Sequence, residues 1–520
     1  MKKNPLLHLS VWAVLIAFVC ACSQDTAEYT NVIPANATDL VSINLKTIAE
    51  KAGIHDKENK EALAKLTDAM KSGMSAATYQ QLETVMKDPS KSGIDVSAPI
   101  YLFSAPTFNY QTVVAKVNSE ADLRNFLEAV QKEISDAPLA EGDGYSFLSL
   151  NKQTLLAFNS STLLLVDYKR AAQLEKAKEG IAALLEQTAE NSINQSGAFQ
   201  KLKKQSGDIN MLISPSSAVG TYANRFNFAL SEGNGPKELM GIGSLSFEKG
   251  KIEMQIENYT ENPETKALLD KLSKSTCPVE NSFLKYFPKS TIALFSMGVK
   301  GEELYNMLQE SEQFRNEFSI TKAAEVKALF SNFQKDITVG LINVTMTNTP
   351  SVLAYANVKN GAPLKALYEK KGELGLKRGE DIVKLNEDEY VYKSRRQNLF
   401  FGVRDKQMYA TNDELLYKNV CKSVDPSAKE TDYVSTLKGK RAVAVINAEE
   451  IMELPLTKMM LEYTRNEYSL YIALAQSVSY LEMSNDGDKT TFVLNLKDKN
   501  VNALKQLTNL ARESIIPRHQ

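Results

Sequence analysis

Tryptophan is almost missing from this chain of 520 residues: the single copy is Trp12, close to the start. Histidine is scarce too, with only His8, His55 and His519. Histidine is the usual general base and the commonest metal ligand near neutral pH. So few of them exclude a Ser-His-Asp triad and a multi-histidine metal site, and none lies in an HExxH or HxH pattern. His55, in Gly53-Ile54-His55-Asp56, reads as a solvated residue at a helix start. Of four cysteines, Cys277 and Cys421 are far apart and no CxxC occurs, so neither a redox motif nor a zinc ribbon is expected. These two read as isolated thiols, although an oxidising compartment would permit a bridge. Charge of one sign is lacking as well. With 61 basic against 63 acidic residues there is no electrostatic case for nucleic acid. The short basic spots at Lys201-Leu202-Lys203-Lys204 and Lys393-Ser394-Arg395-Arg396 read as decoration of a helix or hairpin end. No long apolar run follows the first twenty residues, and the richest segment, Leu155 to Val166, is interrupted by Asn159, Ser160, Ser161 and Thr162. The triplets Gly142-Asp143-Gly144, Gly233-Asn234-Gly235 and Gly241-Ile242-Gly243 lack the third glycine of a dinucleotide loop and read as turns or a strand entry. No GxSxG and no P-loop is present. The expectation is therefore no cofactor, no metal and no nucleic acid.

What is present begins with the leader. Lys2 and Lys3 precede an apolar stretch from Leu9 to Val19, the length of a signal h-region and too short to span a bilayer. Val19-Cys20-Ala21-Cys22 resembles the bacterial lipobox. That resemblance implies diacylglycerol transfer to the Cys22 thiol and cleavage before it. Stable anchoring then needs two or more acyl chains, since each buried methylene contributes only about 0.8 kcal/mol. Residues 1–21 read as a lipoprotein signal peptide and 22–32 as a lipidated tether, starting with the polar Ser23-Gln24-Asp25-Thr26-Ala27-Glu28. Scattered acids after the cysteine resemble the surface-export signal of Bacteroidetes lipoproteins, and Asp25-Thr26-Ala27 resembles the O-glycosylation triplet of that phylum.

Most of the remaining chain reads as a duplication. PANATDLVSINLK from Pro34 aligns without a gap on PKSTIALFSMGVK from Pro288, with Pro34/Pro288, Leu40/Leu294, Ser42/Ser296 and Lys46/Lys300 identical. Val113 to Phe126 falls on Ala354 to Leu367, and FNSSTLLLVD from Phe158 falls on VRDKQMYATN from Val403. Asp208 to Ile213 corresponds to Ala442 to Asn447, and the hairpin Ser244 to Asn258 to Val478 to Leu496. The order of pieces is the same in both copies. Two homologous domains are expected, 33–278 and 282–517.

Strands show period-two alternation, as in Leu40-Val41-Ser42-Ile43-Asn44-Leu45. Gly250 and Asn485-Asp486-Gly487-Asp488 mark hairpin turns. Helices are predicted over Ala171 to Gln187, after an N-cap at Ser119, and over Asn500 to Leu510. Hairpins mixed with helices predict an α+β fold of two homologous domains, each a mostly antiparallel sheet with helices packed on it.

Candidate chemistry is thin. Ser435-Thr436-Leu437-Lys438 and Ser282-Phe283-Leu284-Lys285 fit the Ser-x-x-Lys spacing that supplies a nucleophile and base without histidine, but no Lys-Thr-Gly follows either. Glu387-Asp388-Glu389 lacks calcium-loop spacing and reads as a charged hairpin turn. Tyr468, Tyr471 and Tyr480 lie close together as an aromatic group for a glycan or for core packing. The lipobox, the segment Tyr29-Thr30-Asn31-Val32-Ile33-Pro34 leading into Leu40 to Leu45, and the length resemble a family of Bacteroidetes lipoproteins classed as a domain of unknown function. The resemblance implies an envelope lipoprotein and carries over no catalytic residue. The expected function is a non-enzymatic envelope lipoprotein held at the outer membrane through Cys22, binding an envelope protein or polymer or serving envelope structure. The alternative is a histidine-independent hydrolase using Ser435/Lys438 or Ser282/Lys285.

Overall fold

The computed structural model describes residues 28–37, 39–54, 56–135, 137–214, 239–309, 314, 323–345, 349–464 and 469–515. The signal segment 1–21, Cys22 and the tether to 27, His55, His519, Gly233 to Gly235 and Tyr468 lie outside the described residues. The fold is α+β with extensive antiparallel sheet. Among the described residues no helix is long and apolar enough to cross a membrane.

The chain divides into two compact units. The described residues before 215, with Met240–Lys249 and the chain from Asn500, make the first; Gly250–Lys499 makes the second. These are not the contiguous stretches 33–278 and 282–517. Two long-range attachments explain the difference. Lys251–Tyr259 pairs along seven residues with Lys489–Leu496, which places it in the second unit. The helix Ala503–Ile515 packs on the helix Leu45–Ala52 of the first. There Lys505 Nζ lies 2.8 Å from Asp56 and 3.2 Å from Glu58, and Arg512 donates to the Glu58 carbonyl at 2.9 Å.

The first unit holds strands β1 (Asp39–Ile43), β2 (Ile100–Ala105), β3 (Phe108–Lys116), β4 (Ala140–Glu141), β5 (Ser146–Ser149), β6 (Thr154–Phe158), β7 (Thr162–Asp167), β8 (Ile209–Ile213) and β9 (Met240–Glu248). They pair antiparallel in the order β4-β5-β6-β7-β3-β2-β1-β8-β9. Ser119 caps the helix Glu120–Ile134 by accepting from the Asp122 N–H at 3.2 Å, as its position in the sequence predicts. That helix buries Leu123, Phe126, Leu127 and Val130, one face of an amphipathic repeat, in a cluster with Leu82, Val117 and Phe158. The predicted helix at Ala171 starts as a 3-10 turn and runs as Leu174–Leu185, burying Ala177, Ile181 and Leu184.

The second unit holds β10 (Lys251–Tyr259), β11 (Thr276–Cys277), β12 (Ala293–Lys300), β13 (Phe333–Asn343), β14 (Ser351–Val358), β15 (Asp381–Asn386), β16 (Glu389–Lys393), β17 (Asn398–Arg404), β18 (Gln407–Thr411), β19 (Ala442–Asn447), β20 (Val478–Asn485) and β21 (Lys489–Leu496). The order is β15-β16-β17-β18-β14-β13-β12-β19-β20-β21-β10, with β11 beside one end of β12. From β4 to β9 in one unit and from β15 to β20 in the other, the strands follow the same path. The entry to the first strand repeats as well. Pro34 bridges to Ser192 and Pro288 to Ser427. The Ile193 N–H donates to the Ile33 carbonyl and the Ala428 N–H to the Phe287 carbonyl.

Two apolar clusters lie in the second unit. One gathers Phe283, Tyr286, Phe287, Tyr355, Val443, Val445 and Tyr480. The other gathers Leu364, Ile382, Tyr390 and Phe401, with Ala410 and Met408 packed against it. Ala410 alternates with Tyr409, which belongs to the first cluster, so the two clusters sit on opposite faces of the sheet.

Candidate functional site

Glu389, the last acid of Glu387-Asp388-Glu389, opens β16 and is buried, while Glu387 and Asp388 form the β15–β16 turn. Its carboxylate takes a hydrogen bond from Arg404 Nε, one from Asn386 at 2.7 Å and one from Tyr417 at 3.4 Å. Burial pushes this carboxyl up, but the Arg404 and Asn386 bonds outweigh it and hold the group below its usual range. The hydrogen bond that Arg404 donates to Glu389 raises Arg404 further above its usual value. Burial, with Glu389 beside it, likewise holds the Tyr409 hydroxyl well above the usual phenol range. Arg404, Asn386 and Tyr417 thus satisfy the buried Glu389 carboxylate.

The two Ser-x-x-Lys candidates are placed apart from any such chemistry. The Ser282 hydroxyl donates to Asp336 Oδ2 at 3.1 Å, and the Lys285 ammonium sits 4.9 Å above the Tyr286 ring. Ser435 and Lys438 are both exposed, and the Ser435 hydroxyl donates to the Asp432 carbonyl at 3.3 Å. Each serine proton is thus engaged by an oxygen. Cys277 and Cys421 are free thiols, and burial raises both above the usual thiol range. Lys201 to Lys204 end the helix Gly197–Leu202, and Lys393 to Arg396 make the β16–β17 connection. Among the described residues no group of three His, Cys, Asp or Glu could hold a metal. Tyr480 is buried in the core, where burial raises its hydroxyl to about 12, whereas Tyr471 is exposed.

Glu482 on β20 carries a testable consequence. It is buried, accepts from the Thr436 hydroxyl at 2.7 Å, and burial raises its carboxyl above the usual value. A carboxyl raised by folding favours the folded state while protonated, and that contribution fades as pH rises through the folded pKa. Glu482→Gln removes the cost of burying the anion. The variant is expected to melt higher than the parent at neutral pH, with the gap closing below about pH 4, the unfolded value. A thermal melt series from pH 4 to 8 checks this. An unchanged gap across the series would contradict the assignment.

What remains open is apolar. Across six neighbouring strands, Met254, Phe492, Met483, Ala444, Phe295 and Val339 stand opposite one another in register. Two residues along each strand, a second row reads Ile252, Leu494, Leu481, Ile446, Ala293 and Leu341. No charged or polar side chain interrupts either row. Their sequence neighbours Leu294, Val443, Val445 and Tyr480 point to the opposite face and are buried in the Tyr355 cluster. Among the described residues no buried apolar cluster covers the outward rows: Phe295 and Phe492 are 37 % exposed, Leu481 40 % and Ile446 44 %, and the rest are half-buried. In the first unit a shorter row on β3, β2, β1 and β8 reads Val113, Leu102, Val41 and Met211, with Leu102 exposed. Sequence reasoning did not single these residues out. The signal was there in strands such as Ala442-Val443-Ala444-Val445-Ile446, apolar on both faces, which normally means a strand covered on both.

The fold and this face describe an α+β protein whose sheet offers a bare apolar surface and no assembled catalytic centre among the described residues. Residues 29–504 match the family described as Domain of unknown function (DUF4836), and the chain belongs to that family. No curated protein matches it. Among solved structures it is similar to crystal forms I and III of TP0453, at 9% and 10% identity. Each match covers 49% of this chain and 90% or 91% of the other, with a TM-score of 0.27. Crystal form IV of that protein matches at 7% identity over 46% of this chain and 98% of its own, with a TM-score of 0.23.

Proposed function

We propose that this protein is a lipid-anchored envelope lipoprotein of the Bacteroidetes type, held at the outer membrane through Cys22, and that it works by binding rather than by turnover. Val19-Cys20-Ala21-Cys22 after an eleven-residue apolar run supports the anchor. The observation that carries the binding half is the pair of uninterrupted apolar rows on the second unit. Exposed contiguous apolar area of this kind marks an interaction site. We also read the two units as products of one duplication. The common strand order supports that reading, and so do the paired bridges Pro34–Ser192 and Pro288–Ser427.

Metabolic labelling with palmitate tests the anchor. The wild-type chain is expected to take up label and to partition with membranes, and Cys22→Ser to lose both completely. Label retained by Cys22→Ser, or absent from the wild type, would refute it. Protease shaving of intact cells, with lysed cells as control, then tells surface display from a periplasmic position. Alanine at Ser435 and at Ser282 tests the binding half against the hydrolase alternative. Retained cellular function in both variants is expected, and loss of it in a folded variant would favour turnover.

A further inference from the structure

We propose that one end of the second unit docks on an anionic phospholipid surface through Lys377, Arg378, Lys393, Arg395 and Arg396. This goes beyond the apolar rows, which lie on other strands, and uses neither Cys22 nor a catalytic group. In the sequence, Lys393-Ser394-Arg395-Arg396 is only a hairpin end. The fold brings a second basic segment beside it. Asp381 pairs with Lys393, so the loop 374–380 that enters β15 runs next to the β16–β17 turn. The two touch: a Cβ on Gly379 would stand 3.2 Å from Arg395 Nε. Residues 374–381 and 391–398 together hold five basic and two acidic residues, a net charge of +3. Both acids are already engaged. Asp381 accepts from Lys371 Nζ at 2.8 Å, and Glu380 accepts from the Lys377 N–H at 2.8 Å. All five cations are exposed, and among the described residues none of them forms an ion pair.

The kind of anion follows from what surrounds the charges. A built site for one small phosphate would present backbone N–H groups converging on it. Here such groups are spent within the turns. The Arg396 and Gln397 N–H groups donate to Ser394 Oγ at 3.3 and 3.2 Å, and the Glu380 N–H donates to the Lys377 carbonyl at 2.9 Å. Long side chains are left to reach outward from three adjacent strand ends. With strands about 4.8 Å apart, they spread over roughly 10 Å. That spread suits many negative charges displayed together, as on an anionic leaflet. Leu399, just past the turn, is exposed and stands opposite Tyr392 in register. Leucine and tyrosine beside lysine and arginine match a bilayer interface. Their apolar atoms enter the headgroup layer while the cations stay at the phosphates. A hydrated polymer such as a nucleic acid or an acidic glycan takes the charges but gains nothing from the leucine.

The test uses the chain from Ser23, which keeps every described residue and leaves out leader and lipid. It is sedimented with equimolar phosphatidylcholine/phosphatidylglycerol vesicles and, for comparison, with phosphatidylcholine alone. Binding is expected to the first only, and to fade at about 1 M salt. Each cation near such a surface contributes roughly a fivefold gain, so Arg378→Gln/Arg395→Gln/Arg396→Gln should bind at least about tenfold more weakly. Lys152→Gln/Lys176→Gln/Lys204→Gln removes the same charge from exposed sites on the first unit and should bind as the parent does. Leu399→Gln should weaken vesicle binding severalfold and leave binding to inorganic polyphosphate unchanged. Circular dichroism confirms that each variant is folded. No binding by the folded parent, equal binding to neutral vesicles, or equal loss in both triple variants would overturn the proposal. So would vesicle binding that ignores Leu399→Gln, or capture by polyphosphate without vesicle binding. Palmitate labelling of the wild type reports on Cys22 separately, and every variant keeps the apolar rows intact, so failure here is told apart from failure of those readings.

Discussion

Tyr355→Ala is expected to destabilise the second unit by about 3–5 kcal/mol, the range for emptying a large aromatic site in a packed core. Tyr355 is only 2 % exposed. Its ring stacks on Phe283 at 5.4 Å, tilts against Tyr286 at 4.9 Å and meets Phe287 edge-on at 5.8 Å. Each such pair adds about 0.5–1.5 kcal/mol beyond the area it buries. The hydroxyl has a separate task, accepting the Cys421 N–H at 3.0 Å where Cys421 sits at φ +62°. Tyr355→Phe keeps the ring and abandons that N–H. Its cost should fall near the lower end of the about 1–3 kcal/mol for a stranded donor, because Cys421 is only half-buried. Urea denaturation of the parent and both variants separates ring from hydroxyl. A loss below about 1 kcal/mol in Tyr355→Ala would mean that the site collapses without a cavity.

The aromatic cluster shows how the sequence conveys some features and withholds others. Phe283, Tyr286 and Phe287 stand just before Pro288, and the alignment of Pro34 on Pro288 already marks that proline as the entry to a strand. Local signals of this sort are legible because short-range sterics and capping decide them. Ser119 caps a helix, and the strand runs fall close to where alternation puts them. Membership of a unit is decided by pairings hundreds of residues apart, and alternation is blind to those. β10 pairs with β21, far along the chain, and the helix after Asn500 belongs with Leu45–Ala52. Both choices rest on register and on charge pairs such as Lys505 with Asp56, none of which has a local signature.

The candidate site was less legible still. Glu389 sits in an acidic triplet that reads as solvated turn, yet the pleat turns it inward and Arg404, fifteen residues on, makes its burial tolerable. Phe295 and Phe492 look like ordinary core residues in apolar strands. Only the register shows that they fall in line on the side away from Leu294 and Val445. A strand apolar on both faces says that both faces avoid water. It does not say that the chain itself supplies both covers.

Removing the carboxylate of Asp336 is the other large loss expected. Asp336 has no solvent exposure, and its two oxygens accept from the Glu280 N–H at 2.8 Å, the Ser282 N–H at 3.0 Å and the Ser282 hydroxyl at 3.1 Å. It thereby fixes the turn that carries the chain from β11 toward Pro288. Hydrogen bonds to a charged group contribute about 1.5–3 kcal/mol each, and stranded N–H groups add their desolvation. Because these partners are only part-buried, about 3–4 kcal/mol in total is expected for Asp336→Ala. Asp336→Asn should cost nearly as much, since its amide nitrogen would face an N–H in place of an acceptor oxygen. Ser282→Ala removes one of the three bonds and leaves both N–H donors served, so about 1 kcal/mol is expected. Denaturation midpoints of the three variants decide whether Ser282 is a structural donor. The carboxylate explanation requires the order Asp336→Ala, Asp336→Asn, Ser282→Ala from most to least damaging. If Ser282→Ala proved the most damaging of the three, the hydroxyl would have a role that Asp336 does not account for.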